Sequence, residues 1–172
     1  MRLFFYNNQL KGICSVIHHI PNVLTKEQVA EFRKLMEAAD WVGGKITAGT
    51  LSASVKRNQQ LSESDPLTHQ LSALVMDAIW KNPTFHAPAL PKQMIPPLFN
   101  RYDEHESFGF HVDNSIRLVR GTHQQLRTDL SCTLFLSEPE EYEGGELVGG
   151  RIIKKKNKSD AEVMRYCQSF KT

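Results

Sequence analysis

Apolar residues early in the chain recur at the three- and four-residue spacing of an amphipathic helix. Thr25 followed three positions later by Gln28 matches a capping box, which marks a helix start. The apolar positions behind that signal are Val29, Phe32, Leu35, Met36 and Ala39. This pattern predicts a helix from about Lys26 to Ala39.

A second helix is predicted after the polar stretch TAGTLSASVKRNQQL, which is typical of a loop with a short edge strand. Asp65 suits the N-cap and Pro66 the first helical position. The apolar stripe that follows consists of Leu67, Leu71, Leu74, Val75, Ala78 and Ile79. Asn82-Pro83 ends the stripe, and the prolines at 83, 88, 91, 96 and 97 predict that no further regular helix follows.

The hydrophobic period changes to two in the second half of the chain. The segments LFNRY, FGFHVD and LSCTLFLSE are short and separated by turn-forming residues, so antiparallel strands are predicted there, and EYEGGELV is typical of a turn and another strand. In LSCTLFLS one face would carry Leu130, Cys132, Leu134 and Leu136, and the other Ser131, Thr133, Phe135 and Ser137. Helices followed by strands favour the α+β class.

The two ends of the chain lack these periods. Residues 1–17 are predicted to be an irregular N-terminal extension, and residues 18–148 to form the domain. Residues 149–172 contain a lysine run and a short, weakly helical stretch, and they are predicted to be a basic tail outside the domain. A solvated tail is the favoured interpretation of the lysine run, with a nucleic-acid-binding patch as the alternative.

The composition is that of an ordinary globular protein. The chain has 172 residues, 40% of them apolar and 23% charged, which suits one domain with a real core. The net charge of +2 does not indicate binding to nucleic acid or to a membrane surface, and no apolar run approaches the ~20 residues of a membrane span. Cys14, Cys132 and Cys167 are widely spaced, which favours a reducing compartment. We therefore expect a cytoplasmic protein that binds neither membranes nor nucleic acid.

The candidate chemistry lies in FNRYDEHESFGFHVDNS, residues 99–115. On a strand, His111 and Asp113 would project to the same side. An imidazole beside a carboxylate can chelate a divalent metal, and two histidines with one carboxylate form the facial triad of non-haem Fe(II) oxygenases. A bare His-x-Asp is also common by chance, so a hydrogen-bonded polar pair at a sheet edge is an alternative, as is a zinc site.

Longer motifs around this pair resemble the PKHD-type hydroxylases, which belong to the iron- and 2-oxoglutarate-dependent dioxygenases of the prolyl-4-hydroxylase-like group. The resemblance rests on FNRYDEHESFGFHVD and RTDLSCTLFLSEPEEYEGGEL, with HHIPNVLTKEQV, AADWVGGKITAG and PPLFNRY in the same order. It covers roughly His18 to Val148. It implies a double-stranded β-helix, or jelly-roll barrel, preceded by two helices. It also implies an oxidoreductase that couples decarboxylation of 2-oxoglutarate to hydroxylation of an unidentified substrate, with ascorbate keeping the iron reduced.

The resemblance assigns roles to individual residues. His111 and Asp113 match the first two iron ligands. Tyr102 matches a tyrosine that helps to hold 2-oxoglutarate, with an ordinary barrel aromatic as the alternative. Thr128-Asp129 is expected to support the barrel mouth, and Glu146 is interpreted as a turn residue rather than a ligand.

The resemblance stops before the residues that complete such a site. Family members have a second histidine ligand on a late strand, followed by an arginine or lysine that pairs with the distal carboxylate of 2-oxoglutarate. His123 is the only histidine after Asp113 in this sequence, and it falls in a predicted loop. We therefore expect the third ligand to be missing, the barrel to be incomplete after Val148, and the C-terminus to be truncated or frameshifted near the lysine run. Activity is expected to be impaired, and a non-catalytic barrel remnant that binds a partner is the alternative function.

Overall fold

Every strand in the described part of the chain pairs with its neighbours in antiparallel fashion. The computed structural model describes residues 2–7, 17–47, 53–111, 113–119, 121–144 and 163–171. Its strands are β1 (Arg2–Asn7), β2 (Ile17–Pro21), β3 (Trp41–Gly43), β4 (Lys56–Arg57), β5 (Gln59–Leu61), β6 (Gln93–Met94), β7 (Leu98–Tyr102), β8 (Ser107–Phe108), β9 (Ile116–Leu118), β10 (Gln125–Arg127), β11 (Leu130–Phe135) and β12 (Val163–Lys171). Within these ranges the main sheet has the order β2-β1-β11-β12-β7-β5-β3, with β6 beside β12, while β4 pairs with β8 and β9 with β10. Antiparallel strands combined with a few helices confirm the α+β class.

The first predicted helix is confirmed as α1 (Lys26–Glu37). Its capping box is present in full: the Gln28 N–H donates to Thr25 Oγ1 at 3.2 Å, and the Thr25 N–H donates to Gln28 Oε1 at 2.8 Å. Two N–H groups that have no partner within the helix are thereby satisfied.

The second predicted helix is confirmed as α2 (Pro66–Trp80), and Asp65 accepts a hydrogen bond from the Leu67 N–H at 2.8 Å. The stripe faces the core except at Leu74, which is 47% exposed. The prediction that no helix follows was wrong, because α3 (Pro83–Ala89) begins at once behind the Asn82 cap. Pro83 occupies the first helical position, where its missing N–H removes no bond, and the helix ends one residue after Pro88.

The main sheet has an apolar face and a polar face. Side chains on the apolar face of the sheet form one core with side chains of the helices. The sheet contributes Leu61, Phe99, Leu130, Cys132 and Leu134, and the helices contribute Phe32, Met36, Leu71, Val75, Ile79 and Phe85. The other face, which we call the polar face, carries Gln60, Asn100, Tyr102, Ser131 and Thr133. Its members alternate with core residues along their strands, and the registers Gln60 to Asn100 and Thr133 to Cys167 to Leu98 place them on one side of the sheet. The predicted alternation in LSCTLFLS is therefore confirmed.

Both ends of the chain contain strands that the sequence patterns did not predict. Arg2–Asn7, expected to be irregular, pairs with β11 and β2. Val163–Lys171, expected to be weakly helical, lies between β11 and β7. Both strands bond to backbone groups of a distant strand, and such pairing leaves little trace in the local sequence. The domain boundaries at 17/18 and 148/149 stay predictions, and the lysine run at 154–158, Glu146 and Val148 lie outside the described residues.

No helix in the described ranges has both the length and the apolar character needed to cross a membrane.

Candidate metal site

His111 and Asp113 lie just beyond a short strand rather than on one. The prediction that FGFHVD forms a strand was wrong after Phe108, where β8 ends. The Gly109 N–H still donates to the carbonyl of Val55, the residue before β4, at 2.9 Å. The contact with the β4 segment therefore extends one residue beyond β8. The convergence expected of the two side chains is nevertheless present: His111 Nε2 lies 3.2 Å from Asp113 Oδ1.

The hydrogen bonding of the imidazole determines which of its nitrogens is available. His111 Nδ1 lies 2.7 Å from the Gly109 carbonyl oxygen. A carbonyl can only accept, so Nδ1 carries the proton in this contact and Nε2 of the neutral ring presents a lone pair. That lone pair faces the carboxylate of Asp113.

Phe108 fixes the plane of the same imidazole. The two rings are stacked with centroids 3.6 Å apart and planes 7° from parallel. Lys56, which is opposite Phe108 in the β4–β8 register, places its Nζ 5.5 Å from the centre of the Phe108 ring. Lys56 Nζ also donates to Gln60 Oε1 on the polar face at 3.2 Å.

Asp113 is kept ionised by its neighbours. The hydrogen bond with His111 lowers the pKa of Asp113, burial opposes this by raising it, and a hydrogen bond from Ser131 together with the charges of His111 and Arg117 lowers it further. The net pKa is below the ordinary aspartate value. Ser131 lies on the polar face, so Asp113 is anchored to the main sheet.

The loop behind Asp113 is tied to the start of β11. The Thr128 N–H donates to the Ser115 carbonyl at 2.8 Å, and the Thr128 hydroxyl donates to the Asn114 carbonyl at 2.5 Å. Asp129, which is buried, accepts from Arg127 Nε at 2.7 Å. These contacts hold the loop against the start of β11, and the role of Thr128-Asp129 at a barrel mouth stays a prediction.

The pKa of His111 is raised. The hydrogen bond with Asp113 is the largest cause, burial opposes it, and the Gly109 carbonyl and the Asp113 charge add to the rise, while the positive charge of Lys56 lowers the pKa. When His111 is neutral, two acceptors face each other across 3.2 Å, an arrangement that a cation between them would stabilise. Two ligands at right angles around a metal with bonds of about 2.1 Å lie about 3.0 Å apart, so the pair fits two adjacent positions of an octahedral ion.

The other candidate residues lie on β7, in two loops, or outside the described part of the chain. Tyr102 is buried on the polar face of β7, and its contact with a co-substrate stays a prediction. His123 is exposed in the loop between β9 and β10, as predicted, and His105 is exposed in the turn before β8. Among the described residues no three His, Cys, Asp or Glu side chains group closely enough to hold a metal, so the donor set found here consists of His111 and Asp113.

Three residues of this site were missed by the sequence reasoning: Lys56, Phe108 and Ser131. The alternation of LSCTLFLS did place Ser131 on the face away from the core, which was the available signal. The position of Lys56 depends on the pairing of β4 with β8 across fifty residues of chain, and no local pattern announces it.

The geometry defines a class, that of α+β proteins with a candidate mononuclear metal site above an antiparallel sheet. No protein-family profile matches the chain. A PKHD-type hydroxylase of Acinetobacter baumannii (strain SDF) is 82% identical to it over 133 residues, and one of Acinetobacter baylyi (strain ATCC 33305 / BD413 / ADP1) is 80% identical over the same length. A PKHD-type hydroxylase of Janthinobacterium sp. (strain Marseille) is 54% identical over 130 residues. Over this matched stretch, which is most of its length, the chain belongs to the PKHD-type hydroxylases.

The match covers a larger share of this chain than of its relatives. It covers 77% of this chain but 59% of the two Acinetobacter proteins, and 76% against 58% for the Janthinobacterium protein. The chain therefore spans less than two thirds of the length of the curated relatives it matches.

Proposed function

We propose that this protein is an Fe(II)- and 2-oxoglutarate-dependent dioxygenase that couples decarboxylation of 2-oxoglutarate to hydroxylation of a substrate. The observation that carries the proposal is the approach of two acceptors, His111 Nε2 and Asp113 Oδ1, to 3.2 Å. One imidazole and one carboxylate in adjacent positions are two thirds of the facial triad of non-haem Fe(II) oxygenases. The hydroxylase names of its relatives support the same chemistry.

Each residue of the site has a part in this proposal. Iron, when bound, supplies the redox chemistry that activates O₂. His111 and Asp113 would hold it. Phe108 and the Gly109 carbonyl keep Nε2 directed at the metal position, and Ser131 does the same for the carboxylate.

The proposal extends to the fold and the co-substrate. A double-stranded β-helix, or jelly-roll barrel, encloses a cavity with one face of its antiparallel strands. The polar face supports this architecture, since Gln60, Asn100, Tyr102 and Thr133 are each less than 8% exposed although they point away from the helical core. Tyr102 is the proposed contact to 2-oxoglutarate, ascorbate the proposed reductant, and the cytoplasm the proposed location.

We also propose that the activity of this chain is impaired, because its sequence contains no second histidine in the position of the third ligand. Two protein ligands hold Fe(II) more weakly than three. A third ligand that the fold already holds in position adds a bond at little cost in entropy, and this chain lacks that gain. A non-catalytic barrel protein is the alternative that the following experiment separates.

The test is an anaerobic titration of the full chain with Fe(II) in the presence of 2-oxoglutarate, followed by its visible charge-transfer band. We expect a band in the wild type. Asp113→Ala and His111→Ala should each lower the iron affinity by at least about tenfold, because even the loss of a group that only supports a ligand typically lowers metal affinity by that factor. His123→Ala is the matched control, because it removes an exposed histidine outside the pair.

Succinate release with Fe(II), ascorbate and O₂ then measures turnover. Slow turnover that Asp113→Ala abolishes would agree with an impaired dioxygenase. An equal band in the wild type and in Asp113→Ala would contradict the assignment of the pair, and wild-type protein with neither band nor turnover would favour the non-catalytic barrel.

A further inference from the structure

The β9–β10 hairpin exposes two large apolar side chains. Ile116 is 58% exposed and Leu118 is 65% exposed. They stand two positions apart on β9, so both side chains project from one face of the hairpin, which we call the outer face. The opposite, inner face is covered, because it carries Leu126, which is 4% exposed and pairs with Arg117. The described part of the chain therefore leaves the apolar pair on the outer face in contact with solvent.

The backbone groups of the same two residues point to an open strand edge. In an antiparallel ladder, residues that exchange hydrogen bonds with the partner strand alternate with residues whose N–H and C=O groups point away from it. The Ser115 carbonyl accepts a bond from the β10 side at 2.8 Å, and the Val119 N–H donates to that side at 2.9 Å. By this alternation, the backbone groups of Ile116 and Leu118 point away from β10. Within the described ranges β9 pairs with β10 alone, so these groups form an open edge.

An open edge of this kind matches the backbone of another extended polypeptide. Its donors and acceptors recur at every second residue, which is the spacing at which an added strand presents its own. A strand added to β9 would place alternate side chains beside Ile116 and Leu118 on the outer face. The side chains between them would project to the inner face, on which Arg117 lies.

The charge of the hairpin indicates which polypeptide fits. Residues 114–128 contain Arg117, Arg120 and Arg127 and no aspartate or glutamate. Two copies of this segment paired edge to edge would bring like charges together, and charges on edge strands are a means by which proteins prevent such pairing. A strand with acidic residues would meet the opposite charge. Charge complementarity therefore favours an acidic partner over a second copy, and the open backbone edge favours a polypeptide over a nucleic acid.

We propose that β9 binds an extended acidic segment of another protein by strand addition. Apolar side chains of that segment would pack on Ile116 and Leu118, and acidic side chains between them would lie on the side of Arg117. The surface is formed by β9 itself, so the proposal does not depend on the function proposed for His111 and Asp113.

The test uses a fluorescently labelled heptapeptide in which glutamate and valine alternate, with glutamate at both ends. Its anisotropy measures binding to the full chain. A matched peptide carries N-methyl groups on its valines, which removes the donors that would face β9 but keeps every side chain. We expect this peptide to bind about tenfold more weakly or worse, the combined effect of one or two hydrogen bonds. A peptide with lysine in place of glutamate should also bind more weakly.

Variants of the protein test the same edge. Leu118→Pro removes an N–H that points away from β10 and so leaves the hairpin bonds intact, as proline does on edge strands. It should weaken binding by about tenfold or more. Leu118→Gln keeps the backbone and should also weaken binding, through lost apolar burial. Arg117→Gln should reduce the preference for glutamate over lysine. Leu74→Gln, which changes an exposed apolar residue of α2, is the control and should bind as the wild type does.

The outcomes are decisive once circular dichroism shows that the variants are folded. No binding of the glutamate peptide, equal binding of its N-methylated form, or full binding by both Leu118 variants overturns strand addition. Equal binding of the lysine peptide overturns the selection of an acidic partner. Sedimentation that shows a wild-type dimer and a Leu118→Pro monomer assigns the edge to a second copy instead. Tighter binding of a single-stranded oligonucleotide than of the glutamate peptide also overturns the proposal.

Discussion

Alanine in place of Gly44 is predicted to destabilise the protein, whereas alanine at the adjacent Gly43 is not. A Cβ at Gly44 would stand 2.0 Å from Asn58 Oδ1 and 2.7 Å from its Cγ, distances at which something must move. The Gly44 N–H also donates to the Asn58 carbonyl at 2.9 Å, so the backbone cannot withdraw without losing that bond. At Gly43 a Cβ would meet nothing within 4 Å.

The magnitude follows from what Asn58 must surrender. Its Nδ2 donates to Asn100 Oδ1 at 2.8 Å, and both residues are 5% exposed. If the Asn58 side chain turns away, a buried acceptor is left without its donor, which costs about 1–3 kcal/mol. If it stays, the extra methyl group is forced into a packed region, which costs a similar amount. A loss of about 2 kcal/mol lowers the Tm of a protein of this size by about 4–8 °C.

Thermal and urea unfolding of the full chain measure this difference. Gly43→Ala is the matched control and should lie within about 0.5 kcal/mol of the wild type. The double variant Gly44→Ala/Asn58→Ala should lose less than the sum of its single variants, because the clash is then absent. Equal stability of Gly44→Ala and Gly43→Ala would refute the close packing of Gly44 against Asn58.

Two further predictions concern the site and the link between α1 and the residues after β11. Ser131→Ala removes the hydrogen bond to Asp113 and should weaken Mn(II) binding about tenfold without lowering Tm, as measured by paramagnetic relaxation and circular dichroism; unchanged affinity would contradict the contact. Arg33 Nη1 donates to both carboxylate oxygens of Glu141 at 2.8 Å. Burial alone would raise the pKa of Glu141, but the bonds from Arg33 and the Glu138 N–H outweigh it and lower the pKa. The carboxylate therefore stabilises the fold above the ordinary glutamate pKa of 4.5, and this stability is lost as the pH falls through the lowered value, so Glu141→Gln should lose less free energy of unfolding on acidification than the wild type.

Elements with a local cause were predicted well from the sequence. The capping box of α1 and the Asp65-Pro66 start of α2 each involve residues within three positions of one another, so their signals are complete in the sequence itself. The alternation in β11 was equally reliable, because one face must pack against the helices. α3 was missed because five prolines were weighed as helix breakers without regard to position, whereas Pro83 starts the helix and Pro88 lies near its end.

Elements with a distant cause were not predicted. β12 depends on backbone groups of β11 and β7 that are unpaired without it, and its own sequence shows no clear period. Likewise the His-x-Asp spacing correctly indicated that two side chains converge, but the regular strand assumed for it ends at Phe108. The convergence is held instead by the stacked Phe108 ring, the Gly109 carbonyl and the Ser131 hydroxyl, which come from two separate parts of the fold.

The same contacts determine what the gap between His111 and Asp113 favours. A proton and a divalent cation compete for the Nε2 lone pair, because metal binding requires the neutral imidazole. Asp113 raises the pKa of His111 and so favours binding of the proton, whereas the charge of Lys56 lowers that pKa. A proton on His111 balances the negative charge of Asp113. A divalent cation would balance that charge and leave one positive charge, which would attract an anionic co-substrate. His111 has the largest effect in lowering the pKa of Asp113, burial raises that pKa, and Ser131 and Arg117 lower it further, so two of the groups that favour the carboxylate do not depend on the imidazole proton. The balance between a proton and a metal at this pair would therefore depend on residues of β4, β9 and β11, which the His-x-Asp motif itself does not include.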